Sequence, residues 1–315
     1  MKIRLLLLVA LLALCGTSLF AAENSAGTVP VRMVVSVTAV RDKTPPTLAK
    51  EDVLVRQGKQ PLKVTGWTPA KSDNSPLGLF FMIDEASDTN LGSKLPEIQD
   101  FINAQATGTE FAVGYMHNNT FSILQDFTKD KDAAAKSLRL PMGSVGIGSS
   151  PYLSLIDLLK RWPSSGQRRA VVMITDGIDR FRGTRGMGTM NPDVDSASQR
   201  AQREGVQIFA IYTRGVGHIG MNYWAINTAQ TWLSKLTDET GGQAYYLGTG
   251  EPVSFQPYFK SIQAILDNQY LLDFLAIPGK KSGLQKVKIF TEVPHAEIEA
   301  ADNVWVPAPG DDKKQ

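Results

Sequence analysis

Three carboxylates crowd the end of one apolar run. In "FFMIDEASDT" (80–89), Asp84, Glu85 and Asp88 follow directly on the hydrophobic residues. A buried carboxylate is costly unless it is paired, hydrogen-bonded or set on a metal. A hard divalent cation that takes several oxygen ligands would answer that cost. A polar exit from strand to loop would also answer it. Asp176 ends a second apolar run, "RRAVVMIT" (168–175).

Other reactive groups lie nearby in sequence. The stretch "GIDRFRGTRGMGTMNPD" (177–193) carries Arg180, Arg182 and Arg185 among glycines. It is long for a loop in a compact domain. It reads as a partner-recognition loop that could take an acidic ligand, or as a solvated mobile one. "GVGHIGMNYW" (215–224) brings His218, Met221, Tyr223 and Trp224 together. These residues could form an exposed contact patch, although a tryptophan there more often packs inward and starts a helix. His117, His218 and His295 have no zinc spacing. No phosphate loop, nucleophile elbow or dinucleotide fingerprint is present.

The elements that must hold these residues alternate strand and helix. "LGLFFMI" (77–83), "EFAVGYMH" (110–117), "RRAVVMIT" (168–175), "VQIFAIYT" (206–213) and "QAYYLG" (243–248) read as strands, the first as one covered on both faces. "TFSILQDF" (120–127) follows a two-asparagine turn, Asn118–Asn119, which predicts a hairpin and one antiparallel strand. "KLPEIQDFINAQ", "KDAAAKSLRL", "PYLSLIDLLKRW", "DVDSASQRAQREG", "AINTAQTWLSKLTDETGG" and "FQPYFKSIQAILDNQ" read as helices. The alternation predicts a doubly wound α/β sheet with helices on both faces, whose ligands sit outside the carboxyl ends of the strands. Asp84 and Asp176 both fall at such ends and should be close in space.

The flanks have a different rhythm. "VRMVVSVTAV" (31–40) alternates as a strand, and residues 51–67 read as two short strands around Gly58. "YLLDFLAI", "LQKVKIFTEV" and "AEIEAADNVWVP" read as strands at the other end. Neither flank has strands enough for a core, so the two are expected to pair. The expected organisation is a signal peptide at 1–22, N-terminal β strands at 23–69, an α/β domain at 70–266, C-terminal β strands at 267–308 and a disordered tail at 309–315. Residues 68–76 would connect the first strands to the α/β domain.

The 315-residue chain is 43% hydrophobic and 20% charged, an ordinary globular balance. "MKIRLLLLVALLALCGTSLFAA" has the basic start, short apolar stretch and small-residue end of a secretory signal; an uncleaved anchor is the alternative. Cleavage would remove Cys15, the only cysteine, and leave no disulfide and no transmembrane segment. It would also remove Lys2 and Arg4, which leaves 33 less 2 basic residues against 31 acidic ones. A neutral exported chain is a poor nucleic-acid binder. The expected location is secreted or periplasmic.

The motifs together resemble a von Willebrand factor A (VWA) domain, closest to the bacterial secreted "VWFA-related" group. The resemblance spans about residues 76 to 250 and rests on "MIDEASD", "EFAVGYMHNNTFSILQDFTKD", "GSSPYLSLIDLL" and "VVMITDG", in that order. It implies a Rossmann-like fold and a metal-ion-dependent adhesion site, whose first loop reads Asp-x-Ser-x-Ser. A Thr and an Asp from two further loops would complete it, and a partner's carboxylate would finish the metal shell. On this chain the resemblance maps the metal ligands to Asp84, Asp88, Ser150 (with Ser149 as substitute) and Asp176. Ala86 stands where a ligand hydroxyl is expected and Asp88 where a neutral one is. The implied divalent cation (Mg²⁺, Mn²⁺ or Ca²⁺) would therefore be weakly held or absent.

The expected function is an exported, non-enzymatic binding module with a degenerate metal site, engaging a protein or cell-envelope partner at the top face. Arg180, Arg182, Arg185 and His218 are the candidate partner-binding residues. The alternatives are a metal-assisted hydrolase using Asp84, Asp88 and Asp176, or a ligand-free structural envelope subunit.

Overall fold

The structure, a computed structural model, describes residues 27–39, 44–143, 148–162, 168–182 and 190–309. The expected signal segment with Cys15, the loop residue Arg185 and the tail beyond residue 309 lie outside the described residues. Three strands open the described chain: β1 (Val29–Ala39), β2 (Leu54–Gln57) and β3 (Gln60–Leu62). They are followed by β4 (Val64–Pro69), β5 (Leu77–Asp84), α1 (Leu95–Ala104), β6 (Glu110–His117) and β7 (Thr120–Thr128). Next come α2 (Lys131–Lys136), α3 (Pro151–Arg161), β8 (Arg168–Thr175), α4 (Pro192–Glu204) and β9 (Val206–Tyr212). Then follow α5 (Gly217–Gly220), α6 (Tyr223–Glu239), β10 (Ala244–Tyr245), α7 (Gln256–Asp267) and β11 (Gln269–Ala276). The last strands are β12 (Gly283–Lys286), β13 (Lys288–Phe290), β14 (Ala296–Glu299) and β15 (Asn303–Val306).

A six-stranded sheet in the order β10-β9-β8-β5-β6-β7 forms the centre. All neighbours in it are parallel except the β6–β7 pair. This is the doubly wound α/β architecture expected from the alternation. Strand β5 sits between β6 and β8, and all eight of its residues are buried. Its side chains alternate between two cores. Leu79, Phe81 and Ile83 join Ile98, Phe101, Phe259 and Ile262 on one face, while Phe80 and Met82 join Tyr152, Leu155, Trp232 and Leu233 on the other. The β6–β7 turn carries Asn118 and Asn119 at φ 47° and 63°, the doubly left-handed turn that matches strand twist.

Strands from both flanks pair, as expected. β1 lies between β11 and β14, and β4 adds to the far side of β11, all antiparallel. β13-β2-β3 and β12-β15 form two smaller sheets. Val31, Met33 and Val35 pack with Val55, Leu272, Phe274, Val304 and Val306 in a third core. Residues 51–67 hold three strands rather than two. The third, β4, pairs with β11, not with β3, and stacks Trp67 on Tyr270 at 4.3 Å. The same pairing takes Thr68 and Pro69 into the strand, so the connecting segment is shorter than expected. The strand expected at 243–248 is only two residues long.

A polar clamp joins these layers at the amino ends of the central strands. Arg168 donates from Nε to the Ser75 carbonyl (2.9 Å), and from Nη1 to the Leu266 carbonyl (3.2 Å) and Gln269 Oε1 (2.6 Å). Gln269 in turn donates to Gln207 Oε1 (2.6 Å), and Gln207 Nε2 reaches Ser36 Oγ (3.4 Å). Among the described residues, no helix is long and apolar enough to cross a membrane.

Candidate functional site

The parallel register that pairs Ile83 with Ile174 sets the exits of β5 and β8 side by side. Thr175 Oγ1 donates to Asp84 Oδ2 at 2.7 Å, and the Ala86 amide donates to Asp84 Oδ1 at 2.9 Å. One residue beyond Thr175, Asp176 Oδ1 accepts from the Ile178 amide (2.9 Å) and from Arg180 Nη1 (3.1 Å). Asp176 Oδ2 accepts from Arg180 Nη2. The two acids that close apolar runs therefore do meet at the carboxyl edge of the sheet.

The chain between Asp176 and Arg180 doubles back because Gly177 is left-handed at φ +69°, a conformation that a side chain rarely adopts. The Arg180 amide is then anchored on the Ser149 carbonyl (2.8 Å), and Nη1 also reaches the Ile178 carbonyl (3.3 Å). The ion pair is sealed: the Arg180 side chain is 4% exposed and that of Asp176 1%. Arg180 Nε is buried without a partner.

Burial, with the charge of Asp176 added, pushes the Asp84 carboxyl up to about 6, while Arg180 and the bonds from Thr175 and Ala86 pull the other way. Burial also works against the Arg180 charge, but Asp176 and Asp84 outweigh it and hold its pKa above the ordinary value. Two tyrosines border the site. Tyr152 donates to the Gly177 carbonyl at 2.8 Å, and burial and the nearby carboxylates raise its pKa. Tyr212 is pushed up to about 12 by burial and then by Asp176, and its buried hydroxyl has no partner.

A backbone lid covers the apex. Ser87 bridges to Gly215, the Asp88 amide donates to the Arg214 carbonyl (2.8 Å), and the Val216 amide to the Ala86 carbonyl (2.9 Å). The β5 exit loop is thus zipped to the β9 exit loop. The approach is so close that a Cβ on Gly215 would fall 1.7 Å from Asp176 Oδ2.

Of the residues mapped as metal ligands, Asp84 and Asp176 lie together, while Asp88 and Ser150 serve as caps. Asp88 is half-buried and caps the turn that follows, accepting from the Asn90 amide (2.9 Å). Ser150 caps α3, its hydroxyl accepting from the Leu153 amide (3.4 Å). Ala86 offers no oxygen. Glu85 pairs with Arg139 and accepts from the Met142 amide (2.6 Å). Among the described residues, no group of three or more His, Cys, Asp or Glu side chains is placed to hold a metal.

The partner-binding candidates divide. Arg180 is a correction: it is buried in the ion pair and cannot meet a partner at the surface, because Asp176 and the Gly215 lid enclose it. Arg182 is partly exposed and pairs with Asp193 (2.6 Å). Arg185 lies outside the described residues. His218 is exposed on α5. Trp224 does begin a helix, α6, but does not pack inward; it is 77% exposed, beside Tyr223 at 63% and Met221 at 62%. The reading from sequence missed the counter-charge role of Arg180, the lid glycine Gly215 and the border tyrosine Tyr212. Ala86 was the available signal, since a metal site that lacks a ligand oxygen holds its ion less well.

No protein family and no curated protein matches the chain. Among solved structures, it is similar to a von Willebrand factor type A protein from Catenulispora acidiphila, at 11% identity and a TM-score of 0.46, over 91% of this chain and 76% of that one. It is also similar to an aerotolerance-related membrane protein from Bacteroides fragilis, at 12% identity and a TM-score of 0.44, over 61% of this chain and 98% of that one. A conserved hypothetical protein, BatB from Bacteroides thetaiotaomicron, is similar at 13% identity and a TM-score of 0.43, over 60% and 97% of the two chains.

Proposed function

We propose that the chain is an exported, non-enzymatic binding module of von Willebrand factor A type, which engages a protein or cell-envelope partner at the carboxyl edge of its central sheet. The observation that carries this reading is the exposed Tyr223–Trp224 pair, ring centroids 6.4 Å apart, just beyond the loop that seals the acid apex. Large exposed aromatics are costly surface unless they meet a partner, and they are the residues that most often anchor interfaces. Arg214, Met221, Tyr223, Ile226 and Thr249 line one depression beside them. With Arg214 and His218 exposed nearby, the surface suits a partner that offers apolar groups flanked by acidic ones. The basic, apolar leader supports export. Hydrolysis has less support, because Asp84 and Asp176 are buried and already engaged by Thr175 and Arg180.

A photo-crosslinking residue placed at position 224 in the native host tests the reading. A specific crosslinked protein is expected from position 224, lost on Arg214→Ala, and not obtained from position 59 in the β2–β3 turn. Equal labelling from both positions, or none from 224, would remove the binding reading and leave a ligand-free structural subunit. Export is checked by the N-terminus of the protein in the envelope fraction, expected near Ala21 to Asn24. A cytosolic pool that retains Met1 would count against it.

A further inference from the structure

We propose that Arg180 takes the place of the divalent cation that the von Willebrand resemblance implies, so that the apex is closed and stable with a cation supplied by the chain itself. This goes beyond the binding reading and does not depend on it.

Both oxygens of Asp84 and both of Asp176 already accept hydrogen bonds, from Ala86, Thr175, Ile178 and Arg180. Asp88 and Ser150 are used as caps, and Ala86 has no oxygen to give. A divalent ion of this class needs about six oxygens, and a small one holds them in strict geometry. The residues present do not fit it.

Charge points the same way. Two carboxylates at adjoining strand ends need a positive charge between them and the protein interior. A guanidinium is a weakly hydrated cation whose planar fork matches a carboxylate at two points, so it is the side chain best suited to a buried ion pair. Arg180 meets Asp176 in that two-point manner, and its charge also acts on Asp84.

The two buried arginines of the sheet separate charge from ordinary hydrogen bonding. Arg168, buried at the other edge of the sheet, uses Nε and Nη1 on three neutral acceptors. Arg180 leaves its Nε unpaired in the interior. Its fork meets the Asp176 carboxylate at two points, with Nη1 also on the Ile178 carbonyl, while one buried donor stays unsatisfied. The Gly215 lid leaves no room for a Cβ over Asp176, and so none for an ion with its waters on that side.

The test compares the natural full chain with Arg180→Ala and with the double variant Arg180→Ala/Asp176→Asn. The readouts are the thermal midpoint, with and without millimolar Mn²⁺, and the amplitude of the free Mn²⁺ paramagnetic resonance signal. The natural chain is expected to show no midpoint shift and no loss of free Mn²⁺. Arg180→Ala is expected to melt lower and, because its remaining donors still do not fit a divalent ion, to gain nothing from Mn²⁺. The double variant, with one acid neutralised, is expected to melt above Arg180→Ala and to ignore Mn²⁺. Mn²⁺ binding by the natural chain overturns the proposal, and so does a folded double variant that melts no higher than a folded Arg180→Ala. If Arg180→Ala does not fold, the double variant decides: its folding supports charge compensation, and its failure makes Arg180 a packing residue and overturns the proposal.

Discussion

Two arginines are buried at opposite edges of one sheet, and they are held in different ways. Arg168, at the amino end of β8, faces neutral acceptors on Ser75, Leu266 and Gln269. Burial lowers its pKa, and the charge of Asp267 pulls the other way. Arg180, just past the carboxyl end of the same strand, faces Asp176 and feels Asp84, and its pKa is raised in spite of its burial. The base thus uses an arginine as a multi-point donor that ties the layers together. The apex uses one as a charge. The difference teaches that burial alone does not define an arginine's role; the charge of its acceptors does.

The largest expected effect breaks the apex. Arg180→Met keeps much of the side-chain volume and removes the charge, which strands a buried carboxylate pair. Breaking a buried ion pair from one side costs about 3–5 kcal/mol. Urea unfolding at neutral pH checks it, and a loss no greater than that of a surface substitution would erase the contrast with Arg168.

The next effect sharpens the comparison through pH. The Asp84 carboxyl stands at about 6 in the fold, against about 3.9 in the unfolded chain. A group whose folded pKa is raised stabilises the fold fully below its unfolded value, and that contribution is lost as pH rises through the folded value. The stability of the natural chain is therefore expected to fall between about pH 4 and pH 6, with up to about 3 kcal/mol arising from this group. Asp84→Asn should flatten that segment of the profile, whereas changes at Arg168 should leave it in place. Chemical unfolding in pH steps distinguishes the two.

At the base, Arg168→Met removes a desolvated charge as well as its three bonds, so the gain and the loss partly offset. The cost is expected to be about 1–3 kcal/mol, set by the acceptors left unsatisfied. It should loosen the β11 side of the clamp, read as faster amide exchange at Gln269 and its neighbours. The smallest effect lies outside both edges. Trp224→Ala should change stability by no more than about 0.5 kcal/mol, because the side chain is largely in solvent, while it removes the crosslinkable partner.

Much of the fold was legible because β5 and β8 centre on short apolar runs of the length of a strand covered on both faces, and because Asn118–Asn119 marks a hairpin. Asp84 and Asp176 were legible for the same reason: polar residues at strand ends fall on one edge of a parallel sheet. The role of Arg180 was not legible. Three arginines share a glycine-rich stretch without periodicity, and the one that folds inward is selected by the left-handed turn at Gly177 and the Ser149 carbonyl. Those are tertiary facts. Trp224 escaped for the opposite reason: a large aromatic at a helix start is ordinarily packed, and nothing in its local pattern distinguishes the exposed case. The split of 51–67 into three strands was hidden because β4 takes its partner, β11, from the far end of the chain.

The central claim is that the apex takes its positive charge from its own arginine and not from a metal ion. The most direct measurement is a high-resolution crystal structure of the natural chain grown in Mn²⁺, with anomalous scattering collected at the manganese edge. The expected result is planar guanidinium density against both oxygens of Asp176 and no anomalous peak within bonding distance of Asp84 or Asp176. A manganese peak bonded to either carboxylate, with Arg180 turned away, would contradict the account.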